Sequence, residues 1–211
     1  RNRGGGKFVD VTERAGLAGL GAQGYSSIFF DYDRDGRPDL LVTAHAPLEE
    51  VARWFLQPQA PVNCVAPRLF HNQGDGTFHE ATREAGLSGC YPVMQAVAAD
   101  FDGDGWPDLL LADGGPDAQQ LGPSVLLRNL RGQKFAREAE LPASASPANY
   151  IGAAVAPAGS DGEHEIYLTS GPLPGRLERG GLFRVTLVRR AQAASNAPRH
   201  AAHEGLSEAN R

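Results

Sequence analysis

The chain has 211 residues, 41% of them hydrophobic, and 25 acidic against 20 basic side chains give a net charge of −5. That length can bury a sizeable core, and the composition fits a soluble globular protein. No run reaches the roughly 18 apolar residues of a membrane span, no signal-peptide pattern opens the chain, and no basic stripe invites nucleic acid.

Read from the start, Arg1-Asn2 to Phe8 has the pattern of a hairpin with a glycine turn, followed by Val9 to Leu17. The pattern returns without gaps as His71-Asn72 to Phe78 followed by His79 to Leu87, and a third time as Arg128-Asn129 to Phe135. Each copy keeps Asn at its second place and Phe at its eighth.

Between the first two hairpins lies Asp31-Tyr-Asp33-Arg-Asp35-Gly36-Arg37-Pro-Asp39, and between the next two Asp100-Phe-Asp102-Gly-Asp104-Gly105-Trp106-Pro-Asp108. Both place carboxylates at positions 1, 3, 5 and 9 of one nine-residue frame. Crowding four anions into a turn is unfavourable unless a divalent cation neutralises them, and a hard ion taking six to eight oxygens suits such a loop. Glycine at position 6 supplies the positive φ that folds the chain back. An EF-hand would need Glu at position 12 and flanking helices, whereas here Val42 and Leu111 stand at position 12, within short apolar runs that read as buried strands. The competing reading is an Asp/Gly turn without metal, since both residues favour turns for local reasons.

Applying the same register to the third copy puts Pro157 at position 1, Gly159 at position 3, Asp161 at position 5 and Glu165 at position 9. Two acids without positions 1 and 3 predict a degenerate loop that keeps its turn and strands and loses its ion. Repeat units of 1–70, 71–127 and 128–188 follow, with an insertion at 45–67 in the first and a linker or disordered tail at 189–211. The insertion carries Trp54 and Phe55 and reads either as a surface for contact with a partner or as a plain surface loop. It and the Ala-rich tail are the two candidates for helix. Strands are predicted at 26–30, 40–44, 68–72, 77–81, 95–99, 109–112, 125–129, 134–137, 152–156, 165–169 and 182–188. The fold class is all-β: propeller blades of four-stranded antiparallel sheets, in about three repeat units that form a partial or open propeller.

The two acidic loops with their following Leu-Leu, together with Leu69 to Phe78 and Phe8 to Leu17, resemble FG-GAP or VCBS repeats, the units of integrin α-like propellers, in the flavour of the cartilage-acidic-protein-like group. The resemblance implies calcium held by Asp31, Asp33, Asp35, Asp39 and the carbonyl of Arg37, and by Asp100, Asp102, Asp104, Asp108 and the carbonyl of Trp106. It implies two Ca2+ sites with a structural role, and an extracellular, cell-surface or periplasmic location, where calcium is plentiful.

The expected function is adhesion or recognition of a protein or glycan ligand, with remaining propeller blades or a partner chain covering the sheet edges. Two alternatives stand beside it: a carbohydrate-active enzyme on a propeller scaffold, and a purely architectural spacer. His45, His71, His79, Glu49 and Glu80 are the residues an enzyme would have to use, and they form no recognisable catalytic motif. Cys64 and Cys90 allow a disulfide or two buried thiols. His200 and His203 lie in the tail and read as solvated.

Overall fold

The computed structural model describes residues 1–19, 24–44, 66–89, 91, 93–113, 124–140, 149–158, 163–171 and 182–187, with Glu49 and Leu56 as isolated positions. Eleven strands are present among the described residues: β1 (Gly24–Phe30), β2 (Asp39–Ala44), β3 (Arg68–Asn72), β4 (Phe78–Glu80), β5 (Val93–Ala99), β6 (Asp108–Asp113), β7 (Val125–Asn129), β8 (Phe135–Glu140), β9 (Asn149–Ala158), β10 (Glu163–Gly171) and β11 (Leu182–Leu187). They form three antiparallel sheets in the orders β1-β2-β3-β4, β5-β6-β7-β8 and β11-β10-β9. The first strands are neighbours, with β5 lying against both β1 and β9. Sheets arranged in this way, not closed into a ring among the described residues, make an all-β open arc of propeller blades.

The side-chain period of two explains why the apolar runs are unbroken. In β6, Leu109 and Leu111 enter one core with Leu41, Leu69, Val93, Val125 and Leu127, between the first two sheets. Leu110 and Ala112 turn to the opposite face and meet Ile166 and Leu168, between the second and third sheets. A strand covered on both faces has no use for polar alternation, and all four of these residues are at most 1% exposed. Burial of each leucine contributes about 1.5–3 kcal/mol.

The three sheets repeat one another in detail. Phe30 pairs with Asp39, Ala99 with Asp108 and Ala156 with Glu165, which puts position 9 of each frame opposite the residue that precedes position 1. A register shift follows five residues back in each first strand, between Gly24 and Ser26, Val93 and Gln95, and Tyr150 and Gly152. The β9–β10 hairpin therefore shares the register of the β1–β2 and β5–β6 hairpins. It differs within the frame, where β9 and β10 continue pairing through Pro157 with His164 and Ala158 with Glu163.

The hairpin copies also agree. Asn2 bridges Phe8, Asn72 pairs with Phe78 and Asn129 with Phe135. The sequence period and the sheets are offset: a sheet begins at its acidic-loop hairpin, whereas the Asn-to-Phe hairpin forms the outer half of the first two sheets. After the hairpins, residues 11–17 and 81–87 each make one tight turn ending in a positive-φ glycine, Gly16 or Gly86. The carbonyls of Ala15 and Ala85 then accept hydrogen bonds from the amides of Phe78 and Phe135, both on the outermost strand of the sheet that follows. Each turn thus fastens the end of one unit to the edge of the next.

Most of the 45–67 insertion lies outside the described residues, including His45, Trp54, Phe55 and Cys64, as do Cys90, His200, His203 and the tail. Glu49 and Leu56 are helical, and Leu56 is exposed.

Candidate metal centres

The acidic frames are the β1–β2 and β5–β6 hairpin loops. Position 6 is left-handed in both, at φ 83° for Gly36 and 92° for Gly105, as the fold-back requires. Position 4 is left-handed as well: the second loop uses Gly103, whereas the first forces Arg34 to φ 57°. That side chain lies over the Trp106 ring, 5.6 Å from its centroid.

Within each loop the carboxylates of positions 1, 3 and 9 converge. One oxygen from each of Asp31, Asp33 and Asp39 lies within 4.8 Å of the others, and Asp100, Asp102 and Asp108 do the same. Position 1 closes the turn: Asp31 accepts from the amides of Asp35 (3.1 Å) and Gly36 (2.9 Å), and Asp100 from Gly103 (2.6 Å) and Gly105 (3.0 Å). Position 3 accepts from the amide at position 5, at 3.3 Å for Asp33 and 3.0 Å for Asp102. Position 9 is fully enclosed, with Asp39 at 0% and Asp108 at 2% exposure.

Those last two carboxylates define the electrostatic problem. Asp39 accepts from the amides of Asn72 (2.8 Å) and Tyr32 (3.2 Å), and Asp108 from Asn129 (2.8 Å) and Phe101 (3.1 Å). Amide donors favour the ionised form, yet burial outweighs them and pushes each carboxyl up from 3.8 to about 6. A dehydrated carboxylate facing two further acids needs a compensating charge. The donors are hard oxygens on a flexible loop, which fits a calcium-like cation better than a thiolate- or imidazole-seeking metal.

Position 5 behaves differently. Asp35 groups with Asp33 and His71, and it pairs with the Arg37 guanidinium. Its own partial desolvation is the largest influence and acts upward, but the Arg37 amide, His71 and the Arg37 charge together hold the carboxyl below 3.8. Asp104 accepts from the amide of Trp106 at 3.0 Å, and its carboxylate stands 3.9 Å from Arg128. Arg37 and Trp106, the residues expected to offer carbonyls, thus donate their amides to position 5.

Two kinds of residue at these centres were not assigned to the metal loops from the sequence. The first is the residue before the repeated Asn. His71 Nε2 lies 3.0 Å from Asp33 and 3.2 Å from Asp35, and Arg128 lies 2.5 Å from Asp102. A guanidinium in the equivalent place identifies this position as a charge partner of positions 3 and 5. The second is the Asn itself. Besides its amide on position 9, Asn72 donates Nδ2 to the Pro38 carbonyl at 2.9 Å, and Asn129 donates Nδ2 to the Pro107 carbonyl at 3.0 Å. The Asn side chains also hold their own hairpin turns, accepting from Gly74 (3.0 Å) and Gly132 (2.8 Å). The threefold recurrence of Asn was the available signal; its partner is visible only in three dimensions.

The residues an enzyme would have to use have other partners. His71 and His79 are cross-strand partners on β3 and β4, Glu80 is ion-paired with Arg68 at 2.5 Å, and Glu49 belongs to the insertion.

The family model described as FG-GAP-like repeat matches residues 1–42 and 62–111. The two stretches cover the first hairpin through most of β2 and then the second hairpin through most of β6, and the interval between them falls largely on the insertion. No curated protein matches the chain. Open antiparallel blades, an acidic hairpin loop written twice and the matched segments agree that the chain carries FG-GAP-like repeats over residues 1–42 and 62–111.

Proposed function

We propose that this segment is a calcium-stabilised set of propeller blades from a protein of the extracellular, cell-surface or periplasmic space, serving adhesion or recognition without catalysis. The observation that carries it is the pair of buried carboxylates, Asp39 and Asp108, each within 4.8 Å of two further acids. Calcium at Asp31, Asp33 and Asp39, and at Asp100, Asp102 and Asp108, would supply the positive charge that lets these groups stay ionised. The chain's own residues do the rest. Positions 1 and 3 fix the turn through amides, position 9 ties the loop to the neighbouring Asn, and the leucines between the first two sheets pack the two hairpins against each other. The role is structural: the ion favours the folded loops by mass action.

Recognition would fall to loops carried on that scaffold, with a protein or glycan as ligand and further blades or a partner chain as neighbours. Thermal unfolding in calcium and in chelator tests the structural role. At a free ion concentration about 100 times Kd, each site adds about 2.7 kcal/mol, so two sites raise Tm by roughly 10–20 °C. An identical Tm in both conditions would overturn the proposal.

A further inference from the structure

The two loops are neighbours across the first two sheets, and one side chain touches both. Asn129 is 1% exposed. Its amide donates to Asp108 at 2.8 Å, and its Nδ2 donates both to the Pro107 carbonyl at 3.0 Å and to the Tyr32 carbonyl at 2.8 Å. Asp108 and Pro107 belong to the second loop, whereas Tyr32 is position 2 of the first and donates its amide to Asp39. Asn129 therefore connects position 9 of one candidate site to the residue that holds position 9 of the other. Asn72, its counterpart in the first sheet, donates Nδ2 to Pro38 of its own loop.

Two further contacts join the loops at the same seam. Gly132, in the turn that Asn129 caps, is so close that a Cβ there would lie 2.8 Å from Asp33 Cα and 2.8 Å from Trp106. Arg34 of the first loop covers Trp106 of the second. Fixing either loop consequently removes freedom from the other, the condition for positive coupling between binding sites.

We propose that the Asp31–Asp39 and Asp100–Asp108 loops bind calcium as a coupled pair, with Asn129 as the positioning residue that carries the coupling. The inference rests on the metal-binding reading above. Coupling is reciprocal, so disabling either site weakens the other by the same factor, expected to be about 5-fold or more.

Calorimetric calcium titration of the full chain and of two variants, Asp31→Asn/Asp33→Asn and Asp100→Asn/Asp102→Asn, measures that factor. The expected result is that each variant binds one ion, about 5-fold or more weaker than the same site in the unmodified chain. In the Asn129→Ala background the penalty falls to near 1, whereas Asn72→Ala weakens the first site and leaves the penalty in place. Surviving sites of unchanged affinity would overturn the coupling and leave the metal reading standing. Absence of calcium uptake by the unmodified chain would remove both. Should Asn129→Ala fail to fold by circular dichroism, the two site-disabled variants decide the coupling, and Gly132→Ala decides the seam: its Cβ must impair the first loop although residue 132 belongs to the second sheet.

Discussion

At the residue scale, the two recurring Asn side chains do unequal work. Asn72 makes one Nδ2 bond and accepts one amide, whereas Asn129 makes two Nδ2 bonds and accepts one amide while fully enclosed. A buried polar group left without a partner costs about 1–3 kcal/mol. Asn129→Ala should therefore destabilise by about 2–4 kcal/mol and Asn72→Ala by about 1 kcal/mol, as read from urea unfolding in chelator; equal losses would contradict the assigned bonds. Arg131 offers a prediction of the opposite sign. It is exposed at φ 56°, in the place that Gly74 fills in the previous hairpin at φ 82°. A side chain in left-handed backbone costs roughly 1–2 kcal/mol, partly offset by the greater unfolded freedom of glycine, so Arg131→Gly should stabilise by about 0.5 kcal/mol. A lowered Tm would show that the arginine makes a contact worth more than its strain.

The turns that follow the hairpins set the behaviour of whole elements. A Cβ on Gly16 would lie 2.7 Å from the Phe78 carbonyl oxygen and one on Gly86 2.9 Å from that of Phe135, both against backbone and both at positive φ. Gly86→Ala must shift β8 away from the preceding turn and open the hydrogen bond from the Phe135 amide to Ala85. We expect a loss of more than about 2 kcal/mol, combining left-handed strain with the displaced contact. Gly5→Ala, equally left-handed with nothing within 4 Å of its Cβ, should lose less. Comparable effects at both positions would refute the turn as a fastening between sheets.

All eleven strands were legible because apolar runs and glycine turns bound them, and 68–72 and 125–129 match to the residue. The others are mostly longer than predicted: β9 and β10 extend by pairing across the third loop, and the first strands run back past register shifts that no local pattern announces. The acidic frames were legible through their spacing. The offset between sequence period and sheet was not, because repetition fixes a period without fixing where a sheet begins. Nor was the part played by Asn129, whose partner Tyr32 lies 97 residues away.

For the whole molecule, the two enclosed carboxylates give stability a definite pH dependence. Burial raises Asp39 and Asp108 from 3.8 to about 6, so between those values the folded chain holds protons that the unfolded chain has released. Stability then falls as pH rises through this window. The lowered carboxyls Asp10, Asp35, Asp75 and Glu80 act with the opposite sign, but below their ordinary values, so their effect is lost only toward stronger acid. In chelator, Tm should fall from pH 4.5 to 6.5. In saturating calcium that fall should disappear and the profile run level across the same interval, because the ion has displaced those protons. Parallel profiles in the two conditions would detach Asp39 and Asp108 from the ion.

Calcium stoichiometry by equilibrium dialysis of the full chain bears most directly on the central claim. Two ions per chain are predicted, one after Asp31→Asn/Asp33→Asn and one after Asp100→Asn/Asp102→Asn. No bound ion, or two ions persisting in either variant, would contradict the assignment of these loops as metal centres.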